Sequence, residues 1–276
     1  YKRHYTSRYT VPHRPSGNYV TPMKPTRLPV LLTLLCLAAS QPVQARINNI
    51  ILVHGAFTDG SVWQAVIGRL QSRGYHVTAV QNPLTSLADD VAATERVIDR
   101  QQGDVVLVGH SWAGAAIAQA GNNPKVKKLV FLSALAPDSG ESVASLLTRL
   151  NAPMADMRPD KQGFIWLDEP VAYQRVMAND LPLRRVKVLT ATQQPIAASA
   201  FSEKIEHAAW REKPSWYLLT EDDRALSPGV QQQLAGAMNA TVMRIKSSHM
   251  SMISHPDAVS QLIEQATQPN VKETKK

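Results

Sequence analysis

The chain has a single cysteine, Cys36, so it can form no internal disulfide and cysteine chemistry has one candidate at most. Residues 1–45 hold no acidic residue, against six basic ones: Lys2, Arg3, Arg8, Arg14, Lys24 and Arg27. That stretch accounts for most of the formal charge of +8, because the rest of the chain carries 24 basic against 22 acidic side chains. A nearly neutral body offers no electrostatic footprint for DNA or RNA. No apolar run is long enough to span a bilayer; the longest covers residues 30–39. Internal repeats are absent too, which excludes a solenoid or propeller built from copies of one unit. What remains is 276 residues at 44% hydrophobic composition, enough for one large domain with its own core.

Residues 23–45 read as an export signal. Met23-Lys24-Pro25-Thr26-Arg27 is a short basic region, and residues 30–39 are an apolar core of signal length. Ser40-Gln41-Pro42-Val43-Gln44-Ala45 then supplies a helix breaker and small residues suited to cleavage after Ala45. A lipoprotein signal ending at Cys36 is the alternative, but Leu35 before that cysteine is too large for the usual pattern. Residues 1–22 precede Met23, show no hydrophobic pattern and are expected to be a disordered leader. Cys36 leaves with the signal, so the mature chain, periplasmic or secreted, is expected to have neither disulfide nor membrane span.

From residue 46 to about 268, apolar strands alternate with amphipathic helices. Strands are expected at 47–53, 75–80, 105–108, 127–132, 215–220 and 241–245. Between them, Trp63, Val66, Ile67 and Leu70 mark one helical face, and Leu87, Val91 and Ile98 another behind the capping sequence Ser86-x-x-Asp89. This rhythm implies an α/β fold with a mostly parallel sheet covered by helices on both faces. It breaks from about 138 to 213, where Pro153, Pro159, Pro170, Pro182 and Pro195 divide the chain into short helical pieces with no convincing strand. A helical cap over an active site fits that insertion; an irregular surface excursion is the plainer alternative. The tail, 269–276, is charged and expected to fray.

Everything in this body turns on Gly109-His110-Ser111-Trp112-Ala113-Gly114. An apolar strand stops at a glycine, passes through a serine and opens into the helix former Ala115-Ala116-Ile117-Ala118. Strand, tight turn and helix with Ser111 at the apex is the context of a nucleophile elbow, and Gly109 and Ala113 are small because two backbones must approach closely there. A serine hydroxyl needs an imidazole to take its proton, and the imidazole needs a carboxylate to orient it. Both follow in order at later strand ends. The strand 215–220 runs into Glu221-Asp222-Asp223, one of which should orient the histidine, and the run Asp223-Arg224-x-x-x-Pro228, which resembles the family named below, points to Asp223 with Asp222 as the alternative; the strand 241–245 runs into Lys246-Ser247-Ser248-His249. His255 precedes Pro256 at a helix start and reads as structural. His54 and His110 flank the site as supporting hydrogen bonders, while His76 and His207 have no supporting pattern. The oxyanion donors expected are the backbone N–H groups of Trp112, after the nucleophile, and Ala56, in the loop after the first strand. Phe57, Trp112, Trp166 and Met250 are candidate pocket walls, though such residues also serve simple cores.

The elbow, the His54-Gly55-Ala56-Phe57 loop, Asp223 and His249 together resemble the α/β-hydrolase superfamily across roughly residues 47–268. Within it, His-Gly-Ala-Phe, residues 86–98 and Ser248-His249-Met250-Ser251-Met252 look like bacterial relatives of the plant methylesterase and hydroxynitrile lyase group. The resemblance implies hydrolysis of small, fairly apolar carboxylic esters through an acyl-enzyme, with no metal or organic cofactor. Hydroxynitrile lyases carry a lysine after the catalytic histidine and a threonine in the glycine-turn loop; Met250 and Gly55 stand here, which speaks for an esterase. Trp112 is bulkier than the leucine usual in the plant esterases. The same triad would also serve lactone opening, amide or carbon–carbon cleavage, or cofactor-free haloperoxidation, and a catalytically silent ligand-binding protein is the reading from outside the enzymes.

Overall fold

The computed structural model describes residues 45–152 and 157–269. The expected leader and signal lie outside them except for Ala45, and the expected tail except for Pro269. In chain order the strands are β1 (Asn49–Val53), β2 (His76–Val80), β3 (Val105–His110), β4 (Val126–Leu132), β5 (Phe164–Ile165), β6 (Ile196–Ala197), β7 (Ser215–Thr220) and β8 (Thr241–Ile245). The helices are α1 (Gln64–Ser72), α2 (Leu87–Asp99), α3 (Ala113–Ala120), α4 (Val143–Arg149), α5 (Pro170–Met177), α6 (Leu183–Ala191), α7 (Pro228–Ala237), α8 (Ser251–Ser254) and α9 (Pro256–Thr267). None of these helices is long and apolar enough to cross a membrane.

Six strands form one sheet in the order β2-β1-β3-β4-β7-β8, every pair parallel. The burial of each strand follows its place in the sheet. β3, in the interior, is buried at all six positions, whereas the edge strand β8 has no fully buried residue. A strand covered on both faces must be apolar throughout, which is why Val105-Val106-Leu107-Val108 shows no alternation.

The connections place the helices. From β1 the chain steps one way to β2, then back across β1 to β3 and on to β4. Right-handed crossovers therefore put α1 on one face of the sheet and α2 and α3 on the other. Packing agrees: α1 lies against α9, and α2 against α3. The direction reverses between β1 and β3, and the crevice beyond the strand ends at such a reversal is where ligands bind in open α/β sheets. Gly55 and Ser111 leave the sheet at that point.

Local chemistry sets the helix starts. Ser86 Oγ accepts from the Asp89 N–H at 2.9 Å, and Asp89 and Asp90 lie in the first turn of α2, where the helix dipole favours negative charge. Asp89 does not return the bond as a full capping box would; its carboxylate accepts from Thr85 Oγ1 at 2.6 Å. Pro228 and Pro256 open α7 and α9, where a missing N–H costs nothing. The buried face of α2 runs through Leu87, Asp90, Ala93, Thr94 and Ile98. Val91, expected on that face, is half-buried at its margin and packs against the core.

β4 and β7 are neighbours in the sheet, so everything between them is an insertion. It holds α4, α5, α6 and one antiparallel pair, β5 with β6, through Phe164↔Ala197 and Ile165↔Ile196. The sequence showed no strand here because two residues are too short to display a period.

Candidate active site

The elbow follows from close backbone approach. Ser111 has φ +55, a left-handed conformation that costs a non-glycine residue roughly 1–2 kcal/mol and must be imposed by its surroundings. The Ser111 N–H donates to Leu132 O at 3.2 Å, while its carbonyl accepts from Gly114 N at 3.0 Å and Leu135 N at 3.1 Å. A Cβ on Gly114 would overlap Leu135 O, so no other residue fits there. The peptide plane joining Ser111 to Trp112 is thus held by its oxygen, and a trans peptide points the Trp112 N–H the opposite way.

The loop after β1 comes against this turn. A Cβ on Gly55 would sit 2.8 Å from Ser111 Cβ and 2.8 Å from His110 O, so the absent side chain is what lets the two loops meet. His54, fully buried, fixes the loop from behind: its Nδ1 donates to Gly55 O at 2.9 Å and its Nε2 accepts from Asn82 N at 2.9 Å. Burial lowers the His54 pKa despite the Gly55 carbonyl and Asp59, which favours the neutral ring these two bonds require. The amides of Ala56 and Trp112 donate to no acceptor among the described residues. Phe57, next in the loop, has φ +59 and is buried.

The carboxylate and imidazole meet from the far strands. His249 Nδ1 and Asp223 Oδ2 are 2.7 Å apart, and both side chains are buried, at 2% and 0% exposure. Asp223 Oδ2 also accepts from Thr220 Oγ1 at 2.8 Å and Gln231 Nε2 at 3.1 Å, while Oδ1 accepts from the amides of Ala225 and Leu226, each at 2.8 Å. Five donors on one carboxylate fix its plane and leave the His249 Nδ1 proton one acceptor. The other ring nitrogen, Nε2, makes no hydrogen bond among the described residues. His110 completes the group: its Nε2 donates to His249 O at 2.9 Å and the two ring centroids lie 4.6 Å apart. Burial, then the neighbouring His249, holds the His110 pKa well below the usual value, and its Nδ1 has no partner among the described residues. Asp222 is exposed and meets its neighbours through its backbone, with its N–H on Ser247 O and its carbonyl on Asn179 Nδ2. The geometry therefore favours Asp223 over its neighbour.

The insertion reaches all three loops. Tyr173 of α5 donates its hydroxyl to Phe57 O at 3.1 Å, and Gln194 O accepts from Phe57 N at 3.1 Å. Asn179 bonds Asp222 O at 3.2 Å, and Asp180 Oδ2 accepts from Ser248 N at 3.0 Å and Ser247 Oγ at 3.3 Å. Partial burial pushes the Asp180 carboxyl up, but the hydrogen bonds from Ser248 and Ser254 and the nearby His255 together outweigh it and hold the group below its usual range. Asp180, Thr220 and Gln231 carry no local motif, and their roles appear only when distant strands are brought together. Asp90 had a signal: a carboxylate at i+3 from Leu87, on the core face of an amphipathic helix.

Other expected residues fall variously. Trp112 is buried, with its indole N–H on Asp90 Oδ2 at 2.7 Å and its ring edge-on to Phe201 at 5.0 Å. Met250 is fully buried, its N–H on Ser248 Oγ. Trp166 stands apart, 45% exposed, with its indole N–H bonded to Asp160. His255 caps α9 and its Nδ1 bonds Ser254 Oγ, whereas His76 and His207 pair with Asn49 and Glu212 at the surface. No three His, Cys, Asp or Glu residues among those described are grouped to hold a metal ion.

A family model for the alpha/beta hydrolase family matches residues 50–262, and the chain belongs to that family. It is 30% identical over 241 residues to an alpha/beta hydrolase of Aspergillus novofumigatus, covering 79% of this chain and 95% of that protein. A putative chloroplastic methylesterase of Arabidopsis thaliana is 25% identical over 246 residues, 78% of this chain and 63% of the plant protein. Among solved structures, an extracellular alpha/beta-hydrolase from a Paenibacillus species superposes with a TM-score of 0.69 at 20% identity, covering 81% of this chain and all of that one; at that identity the likeness is one of fold. The chain is a hydrolase of this family.

Proposed function

We propose that the chain is a serine esterase acting on small, fairly apolar carboxylic esters. The observation that carries this reading is the buried 2.7 Å pair of His249 and Asp223, with His249 packed on the residue that precedes the strained Ser111. Ser111 Oγ attacks the ester carbonyl carbon as His249 Nε2 takes the hydroxyl proton. The tetrahedral oxyanion is received by the N–H groups of Ala56 and Trp112, which have no other acceptor among the described residues. Collapse breaks the bond to the alkoxy oxygen, which leaves as alcohol with the proton from His249. Water then gives a proton to His249, attacks the acyl-serine carbon, and the acid departs as Ser111 recovers its proton. Asp223 keeps the histidine in the tautomer with Nδ1 protonated and stabilises the imidazolium. Phe57, Trp112 and Met250 serve as walls near the acyl group; Trp166, exposed and held by Asp160, is left out. Export with cleavage after Ala45, to the periplasm or medium, belongs to the same proposal.

The name of the Arabidopsis relative supports an ester as substrate. Turnover of short-chain p-nitrophenyl esters by protein lacking residues 1–45 tests it. Ser111→Ala should keep the fold and lower kcat by at least about 10⁴-fold. Undiminished turnover in that variant would sink the proposal.

A further inference from the structure

Asp90 is a carboxylate at 0% exposure in the first turn of α2, and neither of its partners is a cation. Its Oδ2 accepts from the Trp112 indole N–H at 2.7 Å and its Oδ1 from the Leu84 N–H at 2.8 Å. Both partners matter to the site. Trp112 follows the nucleophile, and its ring runs on to Phe201 of the insertion. Leu84 has φ +57 and its carbonyl accepts from Ala197 N, in β6, at 2.9 Å. One buried side chain thus ties the elbow, the loop after β2 and the insertion together.

We propose that Asp90 is a positioning residue for the reaction at Ser111: it holds the Trp112 indole, and through it the peptide whose N–H serves the oxyanion. That peptide is fixed at its oxygen by Gly114 and Leu135, and Asp90 is the second point of attachment, on the far side of the Trp112 Cα. A carboxylate is the side chain of this size that can accept with both ends. In Asp90→Asn one end becomes an NH₂ that must face a donor, either the indole or the Leu84 amide, and repels it. Protonation does the same, since the added O–H also points at a donor. Burial is the main cause that pushes the Asp90 carboxyl up to about 6, against the pull of the indole and Leu84 bonds, with the negative charges of Asp89 and Glu203 adding to the rise. The attachment is therefore complete at neutral pH and lost in mild acid.

The kinetic consequence rests on the esterase reading, but the pairing of Asp90 with Trp112 does not, and the experiment separates them. Four proteins are compared: the parent, Asp90→Asn, Trp112→Phe and the double variant, each checked for a cooperative thermal transition. In p-nitrophenyl ester turnover, Asp90→Asn should lower kcat by about 10-fold with KM changed less than about 3-fold. In the Trp112→Phe background, where the indole donor is gone, the same substitution should change kcat by less than about 3-fold. The tryptophan fluorescence that Trp112→Phe removes should titrate near pH 6 in the parent and stay flat in Asp90→Asn. Equal kcat losses in both backgrounds, or a Trp112 signal that ignores pH, would overturn the proposal. Absence of turnover in the parent would refute the esterase reading, and the fluorescence titration would then decide the pairing alone.

Discussion

His110, the residue before Ser111, holds the backbone of His249: its Nε2 donates to His249 O at 2.9 Å, ring against ring at 4.6 Å. In the proposed mechanism the residue before Ser111 therefore places the base. His110→Phe keeps the ring packing and removes the donor, leaving a buried carbonyl unpaired. Stability should fall by about 1–3 kcal/mol. Ester kcat should drop by about 10-fold at nearly constant KM, because the base shifts while the substrate surface stays. Urea unfolding and steady-state kinetics check the two parts.

Gly55 brings the loop after β1 against the elbow. In Gly55→Ala the new methyl would lie 2.8 Å from Ser111 Cβ, closer than such atoms come, so the loops must separate. Since a misplacement of about 1 Å can cost about 100-fold, turnover should fall at least that far while the far-ultraviolet circular dichroism remains that of the parent.

Two adjacent aspartates are separated by burial. Asp223 receives five hydrogen bonds in the interior, and Asp222 is exposed. Asp223→Asn should lower kcat by about 10⁴-fold through the wrong histidine tautomer, and Asp222→Asn by less than about 2-fold. A pH–rate profile of each variant measures this, and the reverse order would exchange their roles.

Stability should depend on pH with two opposing signs. His54 and His110 are held neutral by burial, so the unfolded chain binds protons that the folded one does not. Their contribution is present above the unfolded pKa of about 6.5 and is lost as pH falls through it. Asp90 works the other way: its carboxyl rises from 3.8 to about 6, so the folded chain holds this proton more tightly. Its ionisation costs about 3 kcal/mol, a cost absent at pH values below the unfolded pKa and complete above about 6. Urea unfolding of the parent and of Asp90→Asn should show the variant gaining on the parent by about that amount as pH rises from 4 to 7.

The turn at Ser111 was legible in the sequence because a backbone constraint leaves a compositional trace: Gly109, Ala113 and Gly114 are small where strand and helix converge. The strand end carrying Asp223 was legible because the mostly buried run Trp216-Tyr217-Leu218-Leu219 stops sharply, and the one carrying His249 because the edge strand Thr241-Val242-Met243-Arg244-Ile245 is a short run of strand-forming residues ahead of Lys246-Ser247-Ser248. Which of two neighbouring aspartates turns inward was not written in spacing; Thr220 and Gln231 make that choice, one from the strand and one from the following helix. The face of α2 was legible at Leu87, Val91 and Ile98, but not the partners of the carboxylate at its centre: the cost of burying Asp90 is offset by the Leu84 amide and the Trp112 indole, a pairing that no spacing displays. Asp180 and Tyr173 were illegible because the insertion grips the loops of Phe57 and Ser248 with single side chains that follow no pattern.

In the proposed mechanism Ser111 is a nucleophile activated by His249. A fluorophosphonate reacts with such a serine through the same attack and leaves a stable phosphonyl ester. The decisive measurement is the intact mass of the protein after a brief exposure to the probe, followed by peptide mapping. One adduct per chain is expected, carried by the peptide containing Ser111 and lost in both Ser111→Ala and His249→Ala. A chain that stays unmodified, or an adduct that persists in Ser111→Ala, would contradict that mechanism.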